Sequence, residues 1–278
     1  MTYERKRIYV VVKTYPTISK EYSELVCTAG VLEDGTWIRL YPVPFRKLEI
    51  EQKYPKYSWI EAEVIRNSTD FRPETYRPKL STLIVNSKRS KRVDWDDRRK
   101  IIFKSQKVYT NLQELIDKAK CDGTSLAAFK PTKLLKFIVE ETDRDWDPNK
   151  LAILEQLSNQ MNFFQTLEEI EEEFKVVRKV PYKFSYIFED DARKQSTMMI
   201  EDWEIGMLYF NCLDRAQGDE RKAVEKVKQK YFDYYKQRDI HFFLGTTLRF
   251  HNVAPNPFII IGTFCPPNPS PYEQISFF

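Results

Sequence analysis

Glycine is scarce in this chain, at seven of 278 residues. Neither GxGxxG nor GxxxxGK(S/T) occurs, so the common glycine-loop routes to ATP or NAD chemistry are not expected. Histidine is scarcer still: His241 and His251 are the only two. The four cysteines, Cys27, Cys121, Cys212 and Cys265, lie far apart with no CxxC pair. Such dispersal does not make a zinc site. It fits buried thiols in a reducing compartment. A Cys–His pair built from Cys212 or Cys265 with His241 is disfavoured, because both thiols sit in apolar stretches where they are usually inert. Residues 1–7 are charged and lack the apolar core of a signal peptide. No apolar run approaches the ~20 residues of a spanning helix. The expectation is a cytoplasmic protein with no membrane partner.

Aromatic residues are plentiful instead, at 14%, and the hydrophobic fraction is 42%. A chain of this length and composition can bury a large core. Charge nearly balances at +4, but it is unevenly placed. Lys88 to Lys107 holds nine Lys/Arg against three Asp, and Glu140 to Lys175 holds eleven acids against three bases. The basic run is read as a phosphate-gripping surface or a solvated face. The acidic one is read as a solvated face or a site for a protein partner.

Along the chain, Ile8–Lys13, Glu24–Val31, Thr36–Tyr41, Trp59–Ile65 and Thr82–Val85 read as strands. Asp34-Gly35 is a hairpin turn. Pro42 and Pro44 are expected to end the third strand. With no helix signal before Asn86, a small barrel is the natural way to bury five strands. Asp94 caps a helix expected to run to Gln106. Thr110 with Gln113 forms a capping box, and Gly123 ends that helix. Lys133–Val139 reads as a strand. Helices are expected over 147–161 and 166–174, each with a capping signal. Further on, Tyr182–Phe188 and Thr197–Ile200 are strands. Asp202 caps a helix with Trp203, Met207 and Phe210 on one face. A longer helix over 220–238 is expected to bury Val224, Val227, Tyr231 and Tyr234. Two buried-type strands, near 240–244 and 258–261, close the chain.

The fold class expected is α+β: an N-terminal β-barrel-like module over 1–86, a helical middle over 87–178 and a mixed α/β unit over 179–278. In the alternation of the Thr36–Tyr41 strand, Ile38 and Leu40 face the core, leaving Trp37, Arg39 and Tyr41 on the other side. Those residues, with Arg46, Arg66, Arg72, Lys88, Arg89, Lys91, Arg92, Arg98 and Arg99, interleave rings and cations as single-strand binding surfaces do. At the level of fold alone, such a module resembles PUA-like and OB-like domains. The expected function is nucleic-acid binding, to DNA or RNA, reading a single strand or a modified or extruded base. One alternative is a nuclease using Mg²⁺ held by Glu189, Glu201 and Asp202, although Glu189 and Glu201 fall at opposite ends of an expected hairpin. Another is a non-enzymatic interaction subunit using the acidic 140–175 segment. No cofactor is expected outside the nuclease reading.

Overall fold

The run Ile8 to Val12 is apolar at every position, and the fold explains why both faces of that strand are covered. The computed structural model describes residues 2–17, 25–86, 94–149, 151–152 and 177–268. Its first five strands are β1 (Glu4–Lys13), β2 (Val26–Leu32), β3 (Trp37–Val43), β4 (Trp59–Arg66) and β5 (Thr75–Val85). They close into a barrel in the order β1-β2-β3-β5-β4, with β4 returning antiparallel to β1 and β3 parallel to β5. Ile8, Val10, Ile38, Leu40, Ile60 and Val64 fill the interior. Tyr9, Val11, Ala29 and Val31 point outward, yet pack under Ile102, Leu126, Phe243, Ile261 and Phe264 of the rest of the chain. A strand buried on both faces loses its alternation.

The hairpin turn is where expected. Gly35 has φ +88°, which an L side chain rarely adopts. The third strand runs past Pro42 to Val43, because pairing with Val26 resumes beyond an irregularity between Val26 and Thr28.

After the barrel come α1 (Trp95–Ile102), β6 (Val108–Tyr109), α2 (Leu112–Asp122), β7 (Leu126–Phe129) and β8 (Lys133–Glu141). Asp94 caps α1 through the Asp97 amide, but the helix stops at Ile102, four residues short of the expected end. The cap of α2 is Asn111, whose side chain accepts from the Glu114 amide; Thr110 instead donates its hydroxyl to Asp191 at 2.6 Å. The second sheet is β8 with β9 (Tyr182–Glu189) and β10 (Gln195–Met199), and the third is β12-β11-β7-β6, where β11 is His241–Thr246 and β12 is Phe258–Phe264. Residues 148–149 and 151–152 are helical. The rest of the helix expected over 147–161, and that over 166–174, lie outside the described residues.

Two helices cover these sheets, α3 (Trp203–Arg215) and α4 (Glu220–Lys228). The buried face of α3 is Ile205, Gly206, Tyr209 and Phe210, while Met207 is 37% exposed. Helix α4 continues as a π-helical turn, Gln229–Tyr234, and then a 3₁₀ turn, Tyr235–Gln237. Its buried row is Ala223, Val227, Tyr231 and Tyr235, spaced by four throughout, and Tyr234 is 45% exposed. The wider turn advances the phase by one residue, so Tyr235 takes the inward place that a regular helix assigns to Tyr234.

Candidate nucleic-acid interface

The outer face of β3 is largely covered, with Trp37 and Tyr41 half-buried and Arg39 buried between them. Arg39 is 1% exposed and donates to the Ser125 hydroxyl at 2.7 Å, the Ser125 carbonyl at 3.0 Å and the Thr75 hydroxyl at 3.1 Å. Ser125 in turn donates its amide and hydroxyl to Glu74. Trp37 packs edge-on against Phe243, with ring centres 5.7 Å apart. Arg72 is buried, bridging the Asp70 carboxylate at 2.6 Å and donating to the Thr246 carbonyl. Arg66 donates to the carbonyls of Thr75 and Arg72. Tyr41 and Arg46 are half-buried and partnered. Arg39, Arg66 and Arg72 therefore bind this chain to itself. The expectation that Arg39 reaches a concave basic surface is corrected: alternation separates two faces of a strand but does not say which is wet. Lys88, Arg89, Lys91 and Arg92 lie outside the described residues.

Rings and cations do interleave, on a different surface. The Arg7 guanidinium of β1 lies 4.8 Å over the Trp59 ring of β4. Trp59 meets Tyr9 at 5.1 Å, and Tyr9 meets Tyr57 at 6.4 Å. Arg98 of α1 lies 4.1 Å over Tyr57 and 5.4 Å from Trp95. Arg238 sits 5.8 Å from Trp95 and 5.0 Å from Tyr234, donating to the Tyr234 hydroxyl at 2.8 Å. Lys230, 4.9 Å from Tyr234, extends the series. The result is an unbroken strip that crosses from the barrel over α1 to the π-helical turn. All its members except Tyr9 are half-buried or exposed. Asn86, whose amide donates to the Trp59 carbonyl at 2.9 Å, and Asp94, which precedes Trp95, flank the Lys88–Arg92 run in the chain. Arg99 turns aside to Asp239 at 2.6 Å, a carboxylate shared with Lys130 at 2.7 Å.

Beneath the strip lies a centre of buried charge. Tyr57 has φ +63°, a left-handed conformation that costs about 1–2 kcal/mol. The Tyr57 ring packs under Arg98, while the preceding Lys56 reaches Asp202 at 3.3 Å and Glu204 at 3.1 Å. Burial works against the Lys56 ammonium, but the two carboxylates more than offset it and hold its pKa well above the ordinary value. Burial pushes Asp202 up to about 6, with Lys56 opposing and Glu204 adding to the rise. Lys13 enters the same region among Phe45, Trp203 and Tyr54, with its amine 4.3 Å from the centre of the Phe45 ring. Burial and the neighbouring Lys56 push its pKa down to about 8.

The nuclease candidates do not converge. Glu189 pairs with Gln195 at one end of the β9–β10 hairpin, and Glu201 lies beyond Met199 at the other. About six residues of strand separate their levels, or roughly 20 Å. Asp202 caps α3 through the Glu204 amide as well as holding Lys56. Among the described residues, no three Asp, Glu, His or Cys side chains are grouped to hold a metal ion.

Of the expected site residues that are described, only Arg98 falls in the strip. Arg7, Tyr57, Trp59, Trp95, Lys230, Tyr234 and Arg238 were missed. Composition held one signal: Arg215 to Arg238 carries eight bases and four acids, a bias comparable to that of Lys88–Lys107.

The chain belongs to the family described as a domain of unknown function, DUF8757, whose model matches residues 108–278. Residues 4–104 match a second family, also described as a domain of unknown function, DUF8758. The boundary between the two falls between α1 and β6. No curated protein matches the chain. Among solved structures, a murine DNA-binding protein bound with double-stranded DNA is similar at a TM-score of 0.30 and 9% identity, over 95% of this chain and 94% of that one. Nothing about the present chain follows from a likeness at that level.

Proposed function

We propose that the protein binds nucleic acid along the cation–aromatic strip, with phosphates meeting Arg7, Arg98, Arg238 and Lys230. The observation that carries this reading is the continuous series of rings and cations drawn from four separate chain segments. Unpaired bases stack on aromatic faces and equally on guanidinium planes, so a single strand or an extruded base suits the strip better than closed duplex does. In this reading the barrel unit of residues 1–86 is a PUA- or OB-like module acting with 87–178 and 179–278, which supply the remainder of the strip. The five-stranded closed order supports an OB-like reading. OB barrels bind ligands on the face of their second and third strands. Here that face is largely covered, which favours the β1–β4 side.

The test is fluorescence anisotropy with labelled single-stranded DNA, single-stranded RNA and duplex across a salt series. Affinity should fall with salt at a logarithmic slope of about −0.7 per phosphate contacted on a single strand. Arg98→Ala should reduce that slope by about one contact. Trp95→Ala should weaken single-strand binding by about 1–3 kcal/mol with the slope unchanged. Absence of binding at low salt, or variants indistinguishable from the parent, would defeat the proposal.

A further inference from the structure

A hollow of about 400 Å³ opens on the C-terminal body and shares no residue with the strip. Its size falls within the range of small-molecule sites. Three rings line it: Trp146, Tyr209 and Phe210. The Trp146 indole is fixed by donation to the Val177 carbonyl at 2.7 Å, and the Tyr209 and Phe210 rings meet edge to face at 5.1 Å. Cations surround these rings. Arg144 is held by Glu220 in a bidentate pair at 2.6 and 3.0 Å, and Tyr182 donates to the same carboxylate at 2.8 Å. Those two donors bring Glu220 down to about 2, so it remains ionised and neutralises Arg144.

Two cations are left to act on a ligand. Arg178 lies 4.2 Å over the Phe210 ring, and its ion pair with Asp214 at 3.3 Å is exposed on both sides. Lys179 donates to the Asp145 carbonyl and stands 4.0 Å from the exposed Asp143 carboxylate. Both pairs are of the weak, solvent-screened kind that an incoming anion can displace. Tyr209 is fully buried, and its hydroxyl has no hydrogen-bond partner among the described residues.

Ring walls and two releasable cations fit a ligand with a heteroaromatic ring and an anionic group. We propose that this hollow binds a nucleoside monophosphate, its base against Trp146 and Phe210 and its phosphate at Arg178 and Lys179. The site stands independently of the strip.

Titration calorimetry on the full chain with AMP, GMP, CMP and UMP tests it, with inorganic phosphate and adenosine as controls. At least one monophosphate should bind at least tenfold more tightly than either control. Arg178→Ala, at an exposed position, should weaken it at least tenfold. Binding should also quench tryptophan fluorescence, and Trp146→Phe should abolish that quench. A phosphorylated strand end carries the same chemistry. Displacement by a 5′-phosphorylated oligonucleotide but not by its 5′-hydroxyl form assigns the site to strand ends; no displacement assigns it to free nucleotide. Binding of phosphate alone as tightly as of any monophosphate, no binding at millimolar concentration, or an unaffected Arg178→Ala variant overturns the proposal.

Discussion

Arg39 offers a direct way to separate a structural cation from a ligand-binding one. Its guanidinium is buried and makes three hydrogen bonds that tie β3 to Ser125 and Thr75. Arg39→Met keeps most of the volume and removes the charge. A hydrogen bond to a charged group contributes about 1.5–3 kcal/mol, and a buried acceptor left without its donor costs about 1–3 kcal/mol. The groups left without this donor are the Ser125 carbonyl and hydroxyl and the Thr75 hydroxyl, while Glu74 keeps the Ser125 amide at 2.9 Å and hydroxyl at 2.6 Å. The expected loss is about 3–4 kcal/mol for Met. It is larger for Ala, which also leaves a void. Against a typical stability of about 5–15 kcal/mol, the variant should fold but with a much lower urea midpoint and an unchanged m-value. Nucleic-acid affinity, measured well below the transition, should match the parent. A variant within about 1 kcal/mol of the parent that nonetheless binds nucleic acid more weakly would refute the structural assignment.

Asp202→Asn keeps a capping side chain and removes the charge, with Lys56 still held by Glu204 at 3.1 Å, so it should be at least as stable as the parent near neutral pH. Its pH signature has a definite sign. The folded pKa, about 6, lies above the ordinary aspartate value, so this group's stabilisation is full at low pH and is lost as pH rises through about 6. Thermal melts from pH 4 to 7.5 should show that decline in the parent and lack it in the variant; parallel profiles would exclude it. Gly206→Ala should lower the melting temperature by an amount matching about 1–3 kcal/mol, since a methyl group there would lie 2.4 Å from the Tyr15 ring. Tyr15 is anchored by donation to the Arg178 carbonyl at 2.7 Å, so a neutral outcome would mean that this anchor yields. Tyr235→Ala should destabilise by about 3–5 kcal/mol, as for large core aromatics, and Tyr234→Ala by under 1 kcal/mol. Equal effects in chemical denaturation would contradict the phase assigned to the π-helical turn.

The barrel was legible because its signals are local. Asp34-Gly35 sets a turn, and the Ile38–Leu40 alternation sets a face; neither depends on what packs outside. The function of Arg39 was not legible, since its partners Thr75 and Ser125 lie 36 and 86 residues away. The strip was hidden for the same reason. Trp59, Trp95 and Tyr234 come from three segments that only the closed fold brings together. Helix caps at Asp94 and Asp202 were readable from single residues, whereas the Thr110 cap lost to Asn111 because Asp191, distant in sequence, takes the Thr110 hydroxyl. The place of Tyr235 inside the core follows from a backbone irregularity that no side-chain pattern records.

The closed barrel also limits how anything can be recruited to the N-terminal half. Strand addition needs an edge whose amides and carbonyls are unpaired, and in the closed ring each of the five strands already has a neighbour on both sides. Recruitment there must work through side chains, which makes it removable by point substitution. It also makes it discriminating, because a main-chain interface would accept almost any extended sequence, whereas a row of rings and guanidiniums selects for flat, anionic partners.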